Sequence, residues 1–205
     1  MSGRLLRLHL RARGGPAFVF GVGVVALLAW AGASWLASRP YFDGPAARVP
    51  VVALAPLLGA LLLGSTLGGA DEELERTTPL PWRTWRAGHV LVAVLLIGGT
   101  LSLTGLHAPE VYGAYALVRN TLAGVGLVAG AAVLLGARLA WLPAFGWVCA
   151  VYGATPRDFG GATGWWAWPV APSTVVTSWL AAAVLFTVGV AVYLRRGARV
   201  GQPVR

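Results

Sequence analysis

The chain has 205 residues, 57% of them apolar and only 11% charged, with a mean hydropathy of +0.71. A composition this apolar, gathered into runs near twenty residues long, excludes an ordinary soluble core and marks a protein that crosses a membrane repeatedly. Its formal charge of +9 rests on arginine alone, since the sequence holds no lysine, and that excludes a Walker-type phosphate loop, whose lysine must reach the nucleotide phosphates.

Residues 1–15 interleave Arg4, Arg7, Arg11 and Arg13 with leucines, the pattern of an amphipathic helix lying in the headgroup layer with its arginines toward anionic lipid. The first predicted span, 17–37, is about 30 Å long as a helix, too long for the apolar core of a cleaved signal. Within it Ala29, Ala33 and Ala37 form a small-residue stripe where another helix can approach. Pro40, Asp43, Gly44 and Pro45 make 38–49 a loop. The second span, 50–68, closes on Gly64 and Gly68, and a charged segment, 71–88, separates it from the third span at 90–106. Residues 104–118, with His107, Pro109 and Glu110, read as a polar return. The fourth span, 119–136, carries Gly126 and Gly130 at helical spacing.

Residues 139–152 are short for a crossing, but the arginines favour one. With six spans and the N-terminus inside, only Arg39, Arg48, Arg119 and Arg157 lie on the outer side and all the others are cytoplasmic, as the positive-inside rule requires. Were 139–152 not to cross, the arginine tail at 195–205 would fall outside. Residues 153–173 contain a glycine pair, Pro169 and Pro172, so a regular spanning helix is not expected there; a re-entrant hairpin with Trp165, Trp166 and Trp168 at the outer headgroup level is. The sixth span is 174–194. The predicted fold is therefore all-α: one polytopic transmembrane domain over 1–205, six transmembrane helices, an N-terminal interfacial helix and both termini on the cytoplasmic side of the cell membrane.

Reactive groups are few, and no catalytic residue is assigned. His9, His89 and His107 lie at different depths, and with one cysteine, Cys149, for company they form no metal or haem site. Ser34, Ser65, Ser102 and Ser178 have no mid-span histidine to face them. His107 with Glu110 reads as part of a solvated return rather than as an acid–base pair. The arginines stand at the ends of apolar runs, which sets nucleic-acid binding aside. One polar pair remains near a span, Arg119 and Asn120. Two readings stay open for it: contact with a cavity or another subunit, or an arginine that snorkels outward, and snorkelling is the expectation.

The charged segment is the most patterned part of the chain. Acids come first, Asp71, Glu72, Glu73 and Glu75, then Arg76, Thr78, Leu80, Pro81 and Arg83. Acidic residues suit the first turn of a helix, so 71–78 reads as a short cytoplasmic helix that Pro79 and Pro81 end, with Trp82 and Trp85 anchoring at the interface. At Glu75, Arg76, Thr78, Leu80, Pro81 and Arg83 the chain resembles the membrane permease subunits of ABC-2 type transporters, of the short actinobacterial kind. The resemblance extends to the basic N-terminal helix, the six spans and the broken hairpin between spans five and six.

That resemblance implies that 71–88 is the coupling segment between spans two and three, its coupling helix meeting an ABC ATPase subunit through Glu72, Glu73, Glu75, Arg76, Thr78, Leu80, Pro81 and Arg83. ATP and Mg would sit on that partner, with no cofactor bound by this chain. A second permease copy or a related permease would complete the pore, surrounded by membrane lipid. It implies export of a hydrophobic or amphipathic substrate, lipid-like, a natural product or a peptide antibiotic. The alternative is a non-transporting membrane scaffold or immunity protein that binds its ligand without ATP.

Overall fold

A computed structural model describes residues 11–39, 44–68, 81–106, 111–155 and 164–199. Six α-helices account for most of them: α1 (Gly15–Ala37), α2 (Val49–Thr66), α3 (Trp82–Thr104), α4 (Ala114–Leu135), α5 (Trp141–Ala154) and α6 (Val176–Arg196). Short 3₁₀ turns at Pro45–Arg48 and Trp165–Ala167 precede α2 and α6, and no strand occurs among the described residues. Five of the helices are long and apolar enough to cross a membrane. The exception is α5, whose 14 residues give about 21 Å at 1.5 Å per residue. The chain is an all-helical, multi-pass membrane protein.

The centre of the bundle is α4, two-thirds buried along its apolar window. It packs on α6, α2, α3 and α5, while α1 packs on α2 and α3. The closest approach is made by glycine. A Cβ built on Gly126 would run into the Leu185 carbonyl and the Phe186 backbone, one on Gly189 would collide with the Gly126 carbonyl, and one on Gly130 would lie 3.3 Å from Gly189 Cα. The Gly126–Gly130 spacing seen in the sequence thus meets a third glycine on α6, and backbone packs on backbone as small residues allow between membrane helices. Ala29 and Ala33 of the alanine stripe are buried, whereas Ala37 is exposed. Large apolar side chains such as Phe20, Leu27, Leu95, Leu103 and Leu180 are exposed, the outward face expected of helices whose solvent is hydrocarbon.

Several sequence boundaries are corrected. The third helix begins at Trp82, eight residues before the expected span, because Pro81 serves as its N-cap and the Pro81 carbonyl accepts from the Thr84 and Trp85 amides. Trp82–Gly88 therefore belong to the spanning helix itself. The fourth begins at Ala114, right after Gly113, which places Arg119 more than a turn inside rather than at the mouth. The first starts at Gly15, after Gly14 breaks the chain at φ 69°. Of the expected interfacial helix, Arg11 and Ala12 are helical and residues 1–10 lie outside the described residues. So do 69–80, with the expected helix at 71–78, and 107–110 and 156–163.

Candidate functional site: a guanidinium in a carbonyl cage

The sequence of α4 places Arg119 and Asn120 between Ala116 and Ala123, on faces turned to the bundle interior, and both are buried, Arg119 to 0% exposure. Arg119 does not snorkel. A guanidinium has five N–H donors and no acceptor, and all five are used. Nε donates to Asn120 Oδ1 at 3.0 Å, Nη1 to the Pro172 carbonyl at 2.9 Å and to Ser178 Oγ at 2.8 Å, and Nη2 to the Trp168 and Ala171 carbonyls at 2.8 and 2.7 Å. The Ser178 hydroxyl in turn donates to the Val175 carbonyl at 2.6 Å.

The local sequence explains why those carbonyls are open to Arg119, that of Pro172 while it also accepts from the Val175 amide at 3.2 Å. Pro169 and Pro172 carry no amide hydrogen, so the turn from Trp165 onward cannot continue as a helix; its last bonds run from the Val170 and Ala171 amides to the Ala167 carbonyl. The carbonyls of 168–172 thus form the acceptor-rich end of a helical turn, the end that attracts cations. Buried carbonyls outside a helix need other donors, and Arg119 with Asn120 supplies them. The amide nitrogen of Asn120 donates to the Pro169 carbonyl at 2.8 Å and to the Val52 carbonyl of α2 at 2.9 Å. Neighbouring bonds complete the seat: the Ser173 amide to the Val111 carbonyl at 2.7 Å and Trp179 Nε1 to the Ser173 carbonyl at 2.8 Å. Val111 stands at φ 60°, a left-handed conformation that β-branched residues avoid, and the bond from Ser173 pins its carbonyl.

The three tryptophans divide. Trp165 is 64% exposed and stacks on Trp147 at 6.4 Å between centroids, and Trp166 is exposed too, its carbonyl accepting from Trp147 Nε1 at 3.2 Å. Trp168 is buried, against its expected place in the headgroup layer, because its carbonyl is drawn to Arg119 and the ring follows inward. Between this turn, α4, α5 and α6 runs an apolar groove of about 620 Å³, lined by Leu127, Pro143, Trp147, Trp168, Leu180 and Val184 among others.

At the other end of the bundle lie Arg11, Arg13, Arg83, Arg86, Arg138, Arg195, Arg196 and Arg199, against Arg39, Arg48 and the buried Arg119 toward the tryptophan end. Here too side chains take up the orphan carbonyls that end a helix. At the end of α2, the Thr66 and Leu67 carbonyls each accept from Arg13 Nη1 at 3.4 Å, and Leu67 also accepts from the Tyr193 hydroxyl at 2.8 Å. Thr66 Oγ1 donates to the Leu63 carbonyl at 2.8 Å and lies 2.8 Å from His89 Nε2; with its one hydrogen so used, the hydroxyl accepts from Nε2–H. The Arg199 amide and Nη1 donate to the Ala132 and Leu134 carbonyls at 2.9 and 3.1 Å, closing the end of α4. Gly197, at φ +75°, leaves room for the Arg86 guanidinium, which would lie 2.6 Å from any Cβ there.

Of the residues expected to meet a partner, Pro81 caps α3 and Arg83 is exposed in its first turn. Glu72, Glu73, Glu75, Arg76, Thr78 and Leu80 lie outside the described residues. Among the described residues no three His, Cys, Asp or Glu side chains gather as a metal site. Compared with known protein families, with curated proteins and with solved structures, the chain finds no match.

Proposed function

We propose that this chain is the membrane-spanning permease subunit of an ATP-driven exporter in the cell membrane, crossing it six times with both termini cytoplasmic. It works as a dimer with itself or a related permease and is driven by separate ATPase subunits that carry ATP and Mg. The carrying observation is how the described chain is held on either side of the charged segment, whose ERTTPLP sequence runs from Glu75 to Pro81. Before it, the Leu67 carbonyl is held by Arg13 and Tyr193; after it, Pro81 caps α3. A push on the charged segment would pass along the chain to α2 and α3, and to α1 and α6 through the ties of Arg13 and Tyr193. That favours a rigid-body switch of the helices. The apolar groove beside the tryptophan turn suits a hydrocarbon-bearing substrate.

Co-purification tests this reading. The protein solubilised in detergent brings down an ATPase subunit, and Glu75→Ala with Arg83→Ala loses it while the permease stays folded. Absence of any such subunit, with the bundle intact, favours a scaffold that binds its ligand without ATP.

A further inference from the structure

Pro56 stands inside α2 and is buried. In a regular helix the amide at position 56 would donate to the carbonyl four residues earlier, that of Val52, and proline has no hydrogen to give. The Val52 carbonyl is the one to which Asn120 Nδ2 donates, at 2.9 Å. The same NH₂ group holds the Pro169 carbonyl of the tryptophan turn at 2.8 Å, and the amide oxygen is fixed by Arg119 Nε at 3.0 Å. Both amide hydrogens and the amide oxygen of this side chain are thereby committed to different parts of the fold. The helices pass close at this level: a Cβ on Gly124 would come within 3.2 Å of Ala60 Cβ.

We infer that Asn120 is a latch that replaces the amide hydrogen missing at Pro56 and makes the bend of α2 and the seat of the tryptophan turn a single conformational event. A helix kinks at proline because one backbone bond is absent and the chain can open there. Opening at Pro56 carries the Val52 carbonyl away from α4. The amide of Asn120 then either follows, dropping the Pro169 carbonyl, or stays, leaving the Val52 carbonyl unpaired in an apolar bundle, where an unmet carbonyl is costly. Movement of α2 is therefore reported in the tryptophan turn as release of residues 165–173. The latch rests on the hydrogen bonds alone and holds whether or not the chain works with an ATPase.

The test is a cycle of variants of the full-length protein in lipid nanodiscs, read by thermal unfolding and by deuterium exchange. Asn120→Ala lowers the unfolding temperature and speeds exchange both around 53–57 and in 165–173. Pro56→Ala, which restores an amide hydrogen for the Val52 carbonyl, raises the unfolding temperature more in the Asn120→Ala chain than in the parent. It returns protection to 53–57 but not to 165–173. Should Asn120→Ala alone fail to accumulate in the membrane, Pro56→Ala in the same chain must recover it. Equal effects of Pro56→Ala in both backgrounds, no such recovery, or exchange in Asn120→Ala that changes in only one of the two segments, would overturn the latch.

Discussion

The two ends of this bundle solve the same problem with different strength. At each, chain that leaves a helix has carbonyls without a helical donor, and arginine supplies one. At the tryptophan end one guanidinium is wholly enclosed and makes five bonds of 2.7–3.0 Å to a single turn and its surroundings. At the arginine-rich end the bonds are shared among several side chains, those of Arg13 are long at 3.4 Å, and Arg199 is exposed. Water can replace the bonds of the exposed Arg199 at little cost, since a hydrogen bond exchanged for one to solvent nets only about 1 kcal/mol, whereas Arg13 and Tyr193 are buried. The comparison teaches that the tryptophan end is built as a fixed block of α2, α4, α6 and the turn, while the other end is tied by separate side chains, buried at Arg13 and Tyr193 and open to solvent at Arg199.

Breaking the fixed block has the largest expected effect. Arg119→Met takes a donor from five acceptors, of which the Pro172 carbonyl keeps the Val175 amide at 3.2 Å; with a buried acceptor left unmet costing about 1–3 kcal/mol, unfolding free energy falls by about 3–5 kcal/mol or more. Thermal unfolding in detergent reads it, and Arg119→Lys, with three donors in place of a planar fork, lies between parent and Met. Next comes the glycine crossing. Gly126→Val puts a branched side chain into the α6 backbone, and overpacking of this kind costs about 1–3 kcal/mol and occasionally more; the same assay checks it, and a change within error would mean that the helices separate freely. Tyr193→Phe sharpens the comparison from the arginine-rich end: it removes one hydroxyl bond to the Leu67 carbonyl, which keeps Arg13, and costs about 1 kcal/mol, far less than Arg119→Met. Trp165→Ala is smallest in the same assay, about 0.5 kcal/mol, the low end for an aromatic pair, because the ring that stacks on Trp147 is largely exposed.

Much of the block is visible in the sequence only as unrelated oddities. Hydropathy locates the spans because each is a run of apolar residues, a property of the residues themselves. Helix ends are less legible. Trp82, Arg83, Trp85 and Arg86 read as interface between a turn and a span, though polar and aromatic residues sit in the end turns of a membrane helix as readily as outside it. Arg119 reads as snorkelling because its partners are backbone carbonyls 49–53 positions away, and a carbonyl leaves no trace in residue identity. Two signals point there: an Arg-Asn pair beside an apolar run, and a W-P-V-A-P segment whose prolines must strand acceptors. Putting donor beside acceptor requires the fold. The same holds for Pro56, whose orphaned carbonyl can be inferred from sequence while its donor on α4 cannot. Trp165, Trp166 and Trp168 look alike in sequence; only the pull on the Trp168 carbonyl separates the third from the first two.

The most direct test is deuterium exchange of the parent protein and of Arg119→Met in nanodiscs, following 165–173 and 197–199 together. The expected result is slow exchange at 165–173 and faster exchange at 197–199 in the parent, with 165–173 becoming fast in Arg119→Met and 197–199 unchanged. Rapid exchange at 165–173 in the parent, or no response there to loss of the guanidinium, would contradict a tryptophan end held fixed by Arg119.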